Sequence, residues 1–217
     1  MKPATLLLAV LTGATAVSAL GYYTTRKSTR NHPVLTRTLK PGKREISNKA
    51  VLKLKEKGIQ LDAFVKKNHF NQRYCFLIDM SVPSGSNRFF VYNLAGDSVE
   101  KAGLVTHGSG SSKGDGTLCF SNKPGSLATS IGKYKVGKSY NGKFGLAYKL
   151  YGLDSSNNKA FERFVVLHSH SCVPGEEVYP ALICESWGCP TVAPAFLSTL
   201  QSYIDQSREP VLLWVYN

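Results

Sequence analysis

The sequence predicts a mostly β domain of the α+β class, and two observations lead to that prediction. Beyond Asn68 the apolar residues alternate with polar ones or form short runs, which is typical of strands. The 217 residues include 19 Gly, 11 Tyr and 10 Phe, a mixture that favours strands joined by tight turns. An apolar fraction of 42% permits a substantial core and excludes a disordered chain. Seven strands are predicted, at residues 74–79, 88–92, 99–106, 132–136, 146–150, 164–167 and 211–215.

Helical spacing is found at the two ends of this domain. Ser47 is suited to cap a helix, and apolar residues recur at helical spacing from Val51 to Val65. Gly58 is expected to divide this segment into two short helices. A further amphipathic helix is predicted at residues 195–206, between the last Cys and the last strand.

The first residues have the composition of an export signal. Lys2 precedes an apolar run, and the small residues Val17 and Ala19 form a candidate cleavage site. Residues 1–19 are therefore predicted to be a signal peptide. An uncleaved membrane anchor is the alternative, because residues 3–23 have about the length needed to span a bilayer.

The next segment is basic and lacks apolar periodicity. Residues 20–45 are predicted to be a flexible linker, which leaves residues 46–217 as the folded domain. The whole chain has 27 Lys and Arg against 14 Asp and Glu, a net charge of +13, which favours an anionic polymer or surface. Export excludes most nucleic-acid partners. The sequence therefore predicts a protein of the periplasm or cell envelope that meets an anionic envelope surface and no nucleic acid.

The five cysteines fall into different classes. Cys75 lies inside an apolar run and is expected in the core, and Cys119 is expected to be similar. Cys172 and Cys184 flank one loop and can bridge it, although spacing alone does not fix the connectivity. Cys189 follows a Gly and is expected at a helix N-terminus. There the helix dipole and nearby N–H groups would lower its thiol pKa.

A histidine pair precedes this last cysteine. His168 directly ends an apolar strand, and with Cys189 it fits a Cys–His nucleophile pair, in which the imidazole accepts the thiol proton. A zinc site is the competing interpretation, because His170, Cys172 and Cys184 are also of metal-ligand type. Their spacing does not match the common zinc patterns.

Three stretches of the sequence carry a resemblance to a known family. They comprise residues 78–84 with 88–94, residues 105–108 with 120–126 and 130–134, and residues 166–169 with 186–192. Their order and spacing resemble the L,D-transpeptidase (YkuD-type) family, in particular its murein L,D-transpeptidase catalytic domain subgroup. The resemblance implies a β-sandwich-like catalytic domain with short N-terminal helices and one helix after the catalytic cysteine.

The resemblance also implies roles for individual residues. Cys189 matches the family's nucleophile, His168 its general base, and Ser169 the residue whose backbone carbonyl orients that base. Backbone N–H groups around Gly188 and Cys189 would hold the oxyanion. Trp187 departs from the wider family, which has a second histidine at that position, but it resembles the subgroup.

Other residues are candidates for contact with substrate. They are Trp187, His170, His107, Tyr134 and Asn122. Each also has a structural alternative: His107 can hold the Gly-rich loop that follows it, and Tyr134 and Asn122 suit the core or a turn. His168 is the preferred base because it ends the apolar run directly, whereas His170 lies further into a loop.

The implied reaction is acyl transfer between peptidoglycan stem peptides through a thioester, without a metal or other cofactor, by a protein expected to be monomeric. Three alternatives remain at this stage. Attack by water at the same site would make the protein an L,D-carboxypeptidase or endopeptidase. The chain could instead be a non-catalytic, zinc-stabilised wall-binding module, or an inactive structural homologue.

Overall fold

The computed structural model describes residues 48–217. The predicted signal peptide, the linker and the Ser47 cap lie outside the described residues. Two helices are present in the described part, α1 (Asn48–Lys67) and α2 (Pro194–Asp205). The strands are β1 (Tyr74–Asp79), β2 (Phe89–Asn93), β3 (Ser98–Gly103), β4 (Gly132–Gly142), β5 (Gly145–Gly152), β6 (Val166–Ser169), β7 (Thr191–Val192) and β8 (Leu212–Tyr216). Neither of these helices combines the length and apolarity that a bilayer span requires.

All eight strands belong to one sheet, in the order β3-β2-β1-β8-β4-β5-β6-β7. The β1–β8 and β6–β7 pairs are parallel, and the other pairs are antiparallel. The sheet curls until its two edges meet. Just beyond β3, Val105 forms an antiparallel bridge with Val192 of β7, and the Thr106 N–H donates to the Thr191 carbonyl at 2.9 Å. The predicted mostly β class is confirmed, and its two layers are halves of one curled sheet.

Each face of the sheet has its own core. The inner face encloses the larger cluster, which α2 completes with Leu197 and Leu200. On the outer face, α1 packs Leu54, Leu61 and Val65 against side chains of β1, β2 and β8. The predicted core position of Cys75 is confirmed there, since its thiol is fully buried.

The N-terminal helix corrects one prediction. α1 continues through Gly58 without a break, so the expectation of two short helices is wrong. A Cβ at this position would lie 2.6 Å from Cε1 of Tyr92 in β2. The glycine therefore allows the helix to approach the sheet closely, and the packing gained there outweighs its low helix propensity.

Two strand assignments also change near the predicted site. The strand predicted at 164–167 begins at Val166 instead, because Phe164 has a φ of 55° and is exposed. The short strand β7 was not predicted, since Thr191–Val192 is too brief to show periodicity. It lies between Cys189 and α2, and that affects the environment expected for the thiol.

Candidate active site

The β6–β7 edge of the sheet brings the predicted nucleophile and base together. His168 of β6 pairs in register with Thr191 of β7, and Cys189 lies two positions before that threonine. Residues more than twenty positions apart in sequence are thus held on adjacent parallel strands. Backbone pairing fixes the spacing of the site, as a catalytic pair requires.

The imidazole of His168 is held in one tautomer. Its Nδ1 lies 3.0 Å from the carbonyl oxygen of Ser169, which can only accept, so Nδ1 carries the proton. Nε2 is then the basic nitrogen, and it accepts a hydrogen bond from Thr191 Oγ1 at 3.0 Å. Burial lowers the pKa of His168, against a smaller raising effect from its bond to Ser169. The ring is therefore neutral and able to accept a proton at neutral pH.

The thiol of Cys189 is half-buried and makes two backbone contacts. It donates to the Phe164 carbonyl at a distance of 3.6 Å and accepts the Val166 N–H at 3.4 Å. Burial raises its pKa, while the Val166 N–H and the Arg163 charge act in the opposite direction. The expected lowering of this pKa is wrong. α2 begins only at Pro194, beyond β7, so the helix dipole does not act directly on the thiol.

The turn before Cys189 requires a glycine. Gly188 has a φ of 108°, and a Cβ there would lie 2.9 Å from the carbonyl oxygen of Ala128. Its N–H donates to Ser186 Oγ at 3.2 Å, and that hydroxyl donates to the Cys189 carbonyl at 2.7 Å. Ser186 thus stabilises the turn. The assignment of the Gly188 and Cys189 N–H groups as oxyanion donors stays a prediction, and it requires Gly188 to release Ser186.

Two cavities meet at this pair of residues. The larger has a volume of about 540 Å³ and the smaller about 200 Å³. Both are lined by Cys189 and His168, and also by Trp187 and Phe144. Phe144 lies in the turn between β4 and β5 and stacks on the His168 ring, with 5.2 Å between centroids and 17° between planes. Two ligand groups can therefore approach the thiol from different sides.

Arg163 is a residue of the site that the sequence analysis did not identify. Its guanidinium donates to the carbonyls of Ser121 and Ala128, at 2.9 Å and 2.6 Å, and to the Ser126 and Ser130 hydroxyls. It lines the larger cavity and lowers the pKa of Cys189 by its charge. It precedes the strand in a turn without periodicity, so no sequence pattern indicated its position.

Thr191 is a second residue beside the candidate pair that the sequence did not single out. It lies in the Ser-Trp-Gly-Cys-Pro-Thr-Val stretch but received no role, because a lone threonine is chemically unremarkable. The structure buries it, with its hydroxyl between His168 Nε2 and, at 3.4 Å, the carbonyl of Cys189. This hydroxyl can therefore exchange one acceptor for the other.

Of the five expected substrate contacts, two lie beside the thiol. Trp187 is 75% exposed and lines both cavities. His170 lines the smaller cavity, where its ring meets Phe144 edge-on at 5.6 Å and its Nδ1 accepts the Cys172 N–H. Both side chains are thus placed where a substrate bound to Cys189 would meet them.

The other three lie elsewhere, and here the expectations need correction. Tyr134 is in the core, with its hydroxyl bonded to Ser130, as expected for an inward position of β4. Asn122 joins two loops by bonds to Ser155 and Asn158. Neither lines the two cavities at the thiol.

His107 belongs to a buried polar network on the opposite side of the nucleophile turn. Its Nδ1 accepts from Arg88 at 3.0 Å, and its Nε2 lies 2.9 Å from Ser112 Oγ and 3.4 Å from Glu185 Oε1. Arg88 also donates to the carbonyls of Val82 and Val105. The structural alternative for His107, support of the Gly-rich loop, is what the geometry shows.

A disulfide joins Cys172 and Cys184. It closes the loop between β6 and the nucleophile turn and leaves Cys75, Cys119 and Cys189 as free thiols. Two of the five side chains considered for a zinc site are consumed by this bond. Among residues 48–217, no group of three or more His, Cys, Asp and Glu side chains has an arrangement that could hold a metal ion.

Comparison with known proteins identifies a family match over most of the chain. The family model described as L,D-transpeptidase catalytic domain matches residues 43–216. No curated protein matches the chain significantly.

Similar solved structures include an Ldtfm–avibactam carbamoyl enzyme, with 11% identity over 68% of this chain and 50% of that one, at a TM-score of 0.41. An L,D-transpeptidase from Mycobacterium smegmatis has 12% identity over 67% of this chain and 59% of that one, at a TM-score of 0.38. An L,D-transpeptidase from Xylanimonas cellulosilytica has 14% identity over 66% of this chain and 60% of that one, at a TM-score of 0.36. The chain thus spans only 50% to 60% of the length of these three structures.

Proposed function

The chain belongs to the L,D-transpeptidase catalytic domain family, and we propose that it transfers peptidoglycan stem peptides through a thioester on Cys189. One observation carries the proposal. The Cys189 thiol and the neutral His168 imidazole line the same two cavities. The Ser169 carbonyl accepts the Nδ1 proton of that imidazole and so leaves Nε2 as its basic nitrogen. This is the nucleophile, base and orienting group that acyl transfer by cysteine requires.

The first half of the reaction is acylation. His168 Nε2 accepts the thiol proton as the Thr191 hydroxyl turns from the imidazole to the Cys189 carbonyl. The Cys189 thiolate then attacks the carbonyl between an L-configured centre and the terminal D-amino acid. The carbon–nitrogen bond breaks, the leaving amine takes the proton from His168, and a thioester remains.

The second half transfers the acyl group. An amine of a second stem peptide attacks the thioester and gives a proton to His168, and the Cys189 thiolate leaves. The presence of two cavities at the thiol supports transfer, because the donor remains bound while the acceptor enters. Water in place of the amine would give L,D-carboxypeptidase activity from the same residues.

We also propose export to the cell envelope, on the strength of the apolar leader and the basic segment after it. The disulfide between Cys172 and Cys184 supports this location, since disulfides persist in oxidising compartments. Cell fractionation with N-terminal sequencing tests the proposal. Recovery from the periplasm or envelope is expected, and recovery from the cytosol with Met1 intact would contradict it.

The nucleophile is tested by intact mass spectrometry. Wild-type protein mixed with a stem peptide that ends in a D-amino acid, or with a carbapenem, should gain one acyl adduct. Cys189→Ala should gain none, while the matched control Cys119→Ala, which removes the other half-buried free thiol, should behave as the wild type. An adduct on Cys189→Ala would end the proposal.

Transfer and hydrolysis are separated by adding an acceptor. The acyl-enzyme is formed first and then mixed with a second stem peptide that carries a free side-chain amine. A cross-linked product whose yield rises with acceptor concentration is expected. Release of the free acid alone, at every acceptor concentration, would instead make the protein a carboxypeptidase.

A further inference from the structure

Aromatic rings and lysines alternate on the surface beside the larger cavity. They belong to the long β4–β5 hairpin and to the turn that precedes β6. The members of this lysine–aromatic strip are Lys135, Tyr140, Lys149, Tyr151 and Phe161. Nothing in the reaction proposed above uses them, although the strip leads directly to the site of that reaction.

Each side chain of the strip contacts the next one in space. Lys135 lies over the Tyr151 ring at 4.9 Å, and Tyr151 stacks on Phe161 with 5.2 Å between centroids and 11° between planes. Lys149 lies 5.7 Å from the Phe161 ring and 5.8 Å from the Tyr140 ring. Cations in contact with ring faces are held in place without being neutralised.

Two of the rings approach glycines of β4 closely. A Cβ at Gly137 would lie 2.5 Å from Cε2 of Tyr151, and one at Gly142 would lie 3.0 Å from Cε2 of Tyr140. Each ring therefore lies close against the backbone at a glycine.

The strip remains exposed and continues into the active site. Phe161 is 54% exposed and Tyr140 is 38% exposed. Tyr140 also lines the cavity of about 540 Å³ that contains Cys189, together with Lys143 and Arg163. Glu162 is the one acidic residue among those that line this cavity, so the approach to the thiol is basic.

We propose that the lysine–aromatic strip binds the glycan strand of peptidoglycan and so directs the attached stem peptide to Cys189. The inference rests on the proposed function, because it concerns the polymer that carries the reacting peptide. The apolar faces of sugar rings pack against aromatic faces, and the free carboxylates of the stem peptides that the strand carries pair with lysines. Neighbouring rings and ammonium groups therefore match a chain of sugar rings that carries acidic peptides.

Binding is tested without catalysis. The Cys189→Ala protein is titrated with peptide-free glycan strands, prepared by removing the stem peptides from purified peptidoglycan, and affinity is measured by calorimetry. The strip is altered by Phe161→Ser together with Lys149→Gln. A matched control, Ile59→Ser with Lys113→Gln, removes one exposed apolar side chain and one exposed lysine elsewhere. Thermal unfolding confirms that both proteins are folded.

The strip variant should bind glycan at least about tenfold more weakly, and the control should bind unchanged. Equal affinity in the strip variant, or an equal loss in the control, would overturn the inference. Binding of a polyphosphate wall polymer but not of peptide-free glycan would also overturn it. Acylation of the wild type without glycan binding would defeat this inference alone, whereas glycan binding without acylation would defeat the proposed function alone.

Discussion

The turn that carries Cys189 has two different environments on its two sides. On one side, His168 faces open cavities, and its basic nitrogen is bonded to a hydroxyl that has a second acceptor. On the other side, both ring nitrogens of His107 are committed, one to the Arg88 guanidinium and one to Ser112 and Glu185. Burial lowers the pKa of both histidines.

This comparison shows that a lowered pKa does not by itself identify a catalytic base. A base must also be able to change its hydrogen-bond partner and face the substrate. His168 meets both conditions through Thr191 and the two cavities. His107 lines a different cavity, which does not contain Cys189, and its bonds connect Arg88 to Glu185 at the start of the nucleophile turn. In the proposed reaction the first region supplies the base, and the second supports the turn that carries Cys189.

The largest expected effect is that of removing the base. His168→Ala should slow thiol acylation about 10²- to 10⁴-fold at neutral pH. High pH should partly restore the rate, since hydroxide then generates the thiolate without a base. Acylation rates measured by mass spectrometry from about pH 6 to about pH 10 test this expectation. A uniform loss across that range would mean that His168 acts in some other way.

The wild-type pH profile follows from the same group. His168 must be neutral to accept the thiol proton, and burial keeps its pKa below the ordinary value of 6.5. The rate should therefore hold as pH falls through 6.5 and decline only at lower pH. A decline centred above 6.5 would assign the acidic limb to another group.

Changes in the network around His107 should lower the free energy of unfolding. Arg88→Met removes a buried guanidinium that donates to two carbonyls and to His107, and it leaves these acceptors without donors. A loss of about 3 kcal/mol in the free energy of unfolding is expected. Molecules that stay folded should still acylate. Chemical denaturation measures the unfolding free energy, and intact mass spectrometry measures acylation. An unchanged unfolding free energy would show that Arg88 does not support the fold.

The disulfide links the two regions, since Cys172 lines the smaller cavity at the thiol and Cys184 lines the cavity that includes Arg88 and His107. Replacing both cysteines by serine opens a loop with a sequence separation of 12 residues. About 2 to 3 kcal/mol of unfolding free energy should be lost, while Cys189 should still be acylated. Loss of acylation in a folded double variant would show that the loop positions the base.

Local pattern and the family resemblance together predicted the pair Cys189 and His168, and the structure places both beside the same two cavities. His168 ends an apolar run, Cys189 follows a glycine, and the structure keeps both relationships. For Tyr134 the core alternative is confirmed and the substrate contact is not, because this residue shares the inward face of β4 with Val136. Arg163 and Phe144 lie in turns, where orientation depends on long-range packing that periodicity does not encode.

His170 should have a smaller effect than His168. Its imidazole lines the smaller cavity but accepts a bond from the Cys172 N–H through Nδ1, and the residue lies just beyond the end of β6. His170→Ala should therefore reduce acylation by about tenfold or less, as expected for one lost substrate contact. The loss should be similar at all pH values. A larger loss than that of His168→Ala, with rescue at high pH, would move the base to His170.

The smallest expected effect concerns the charge next to the thiol. Arg163 favours the Cys189 thiolate, opposing the effect of burial, so Arg163→Gln should raise the pKa of Cys189 further. A higher thiol pKa leaves less thiolate at neutral pH. Acylation should then fall by less than about tenfold near pH 7 and approach the wild-type rate only when the pH exceeds the pKa of Cys189, which burial has already raised above the ordinary thiol value of 9.0. Arg163→Lys keeps the charge but not the four hydrogen bonds, so it should leave the midpoint of the pH–rate curve close to that of the wild type. Equal losses in both variants at every pH would show that the hydrogen bonds, and not the charge, are what the site requires.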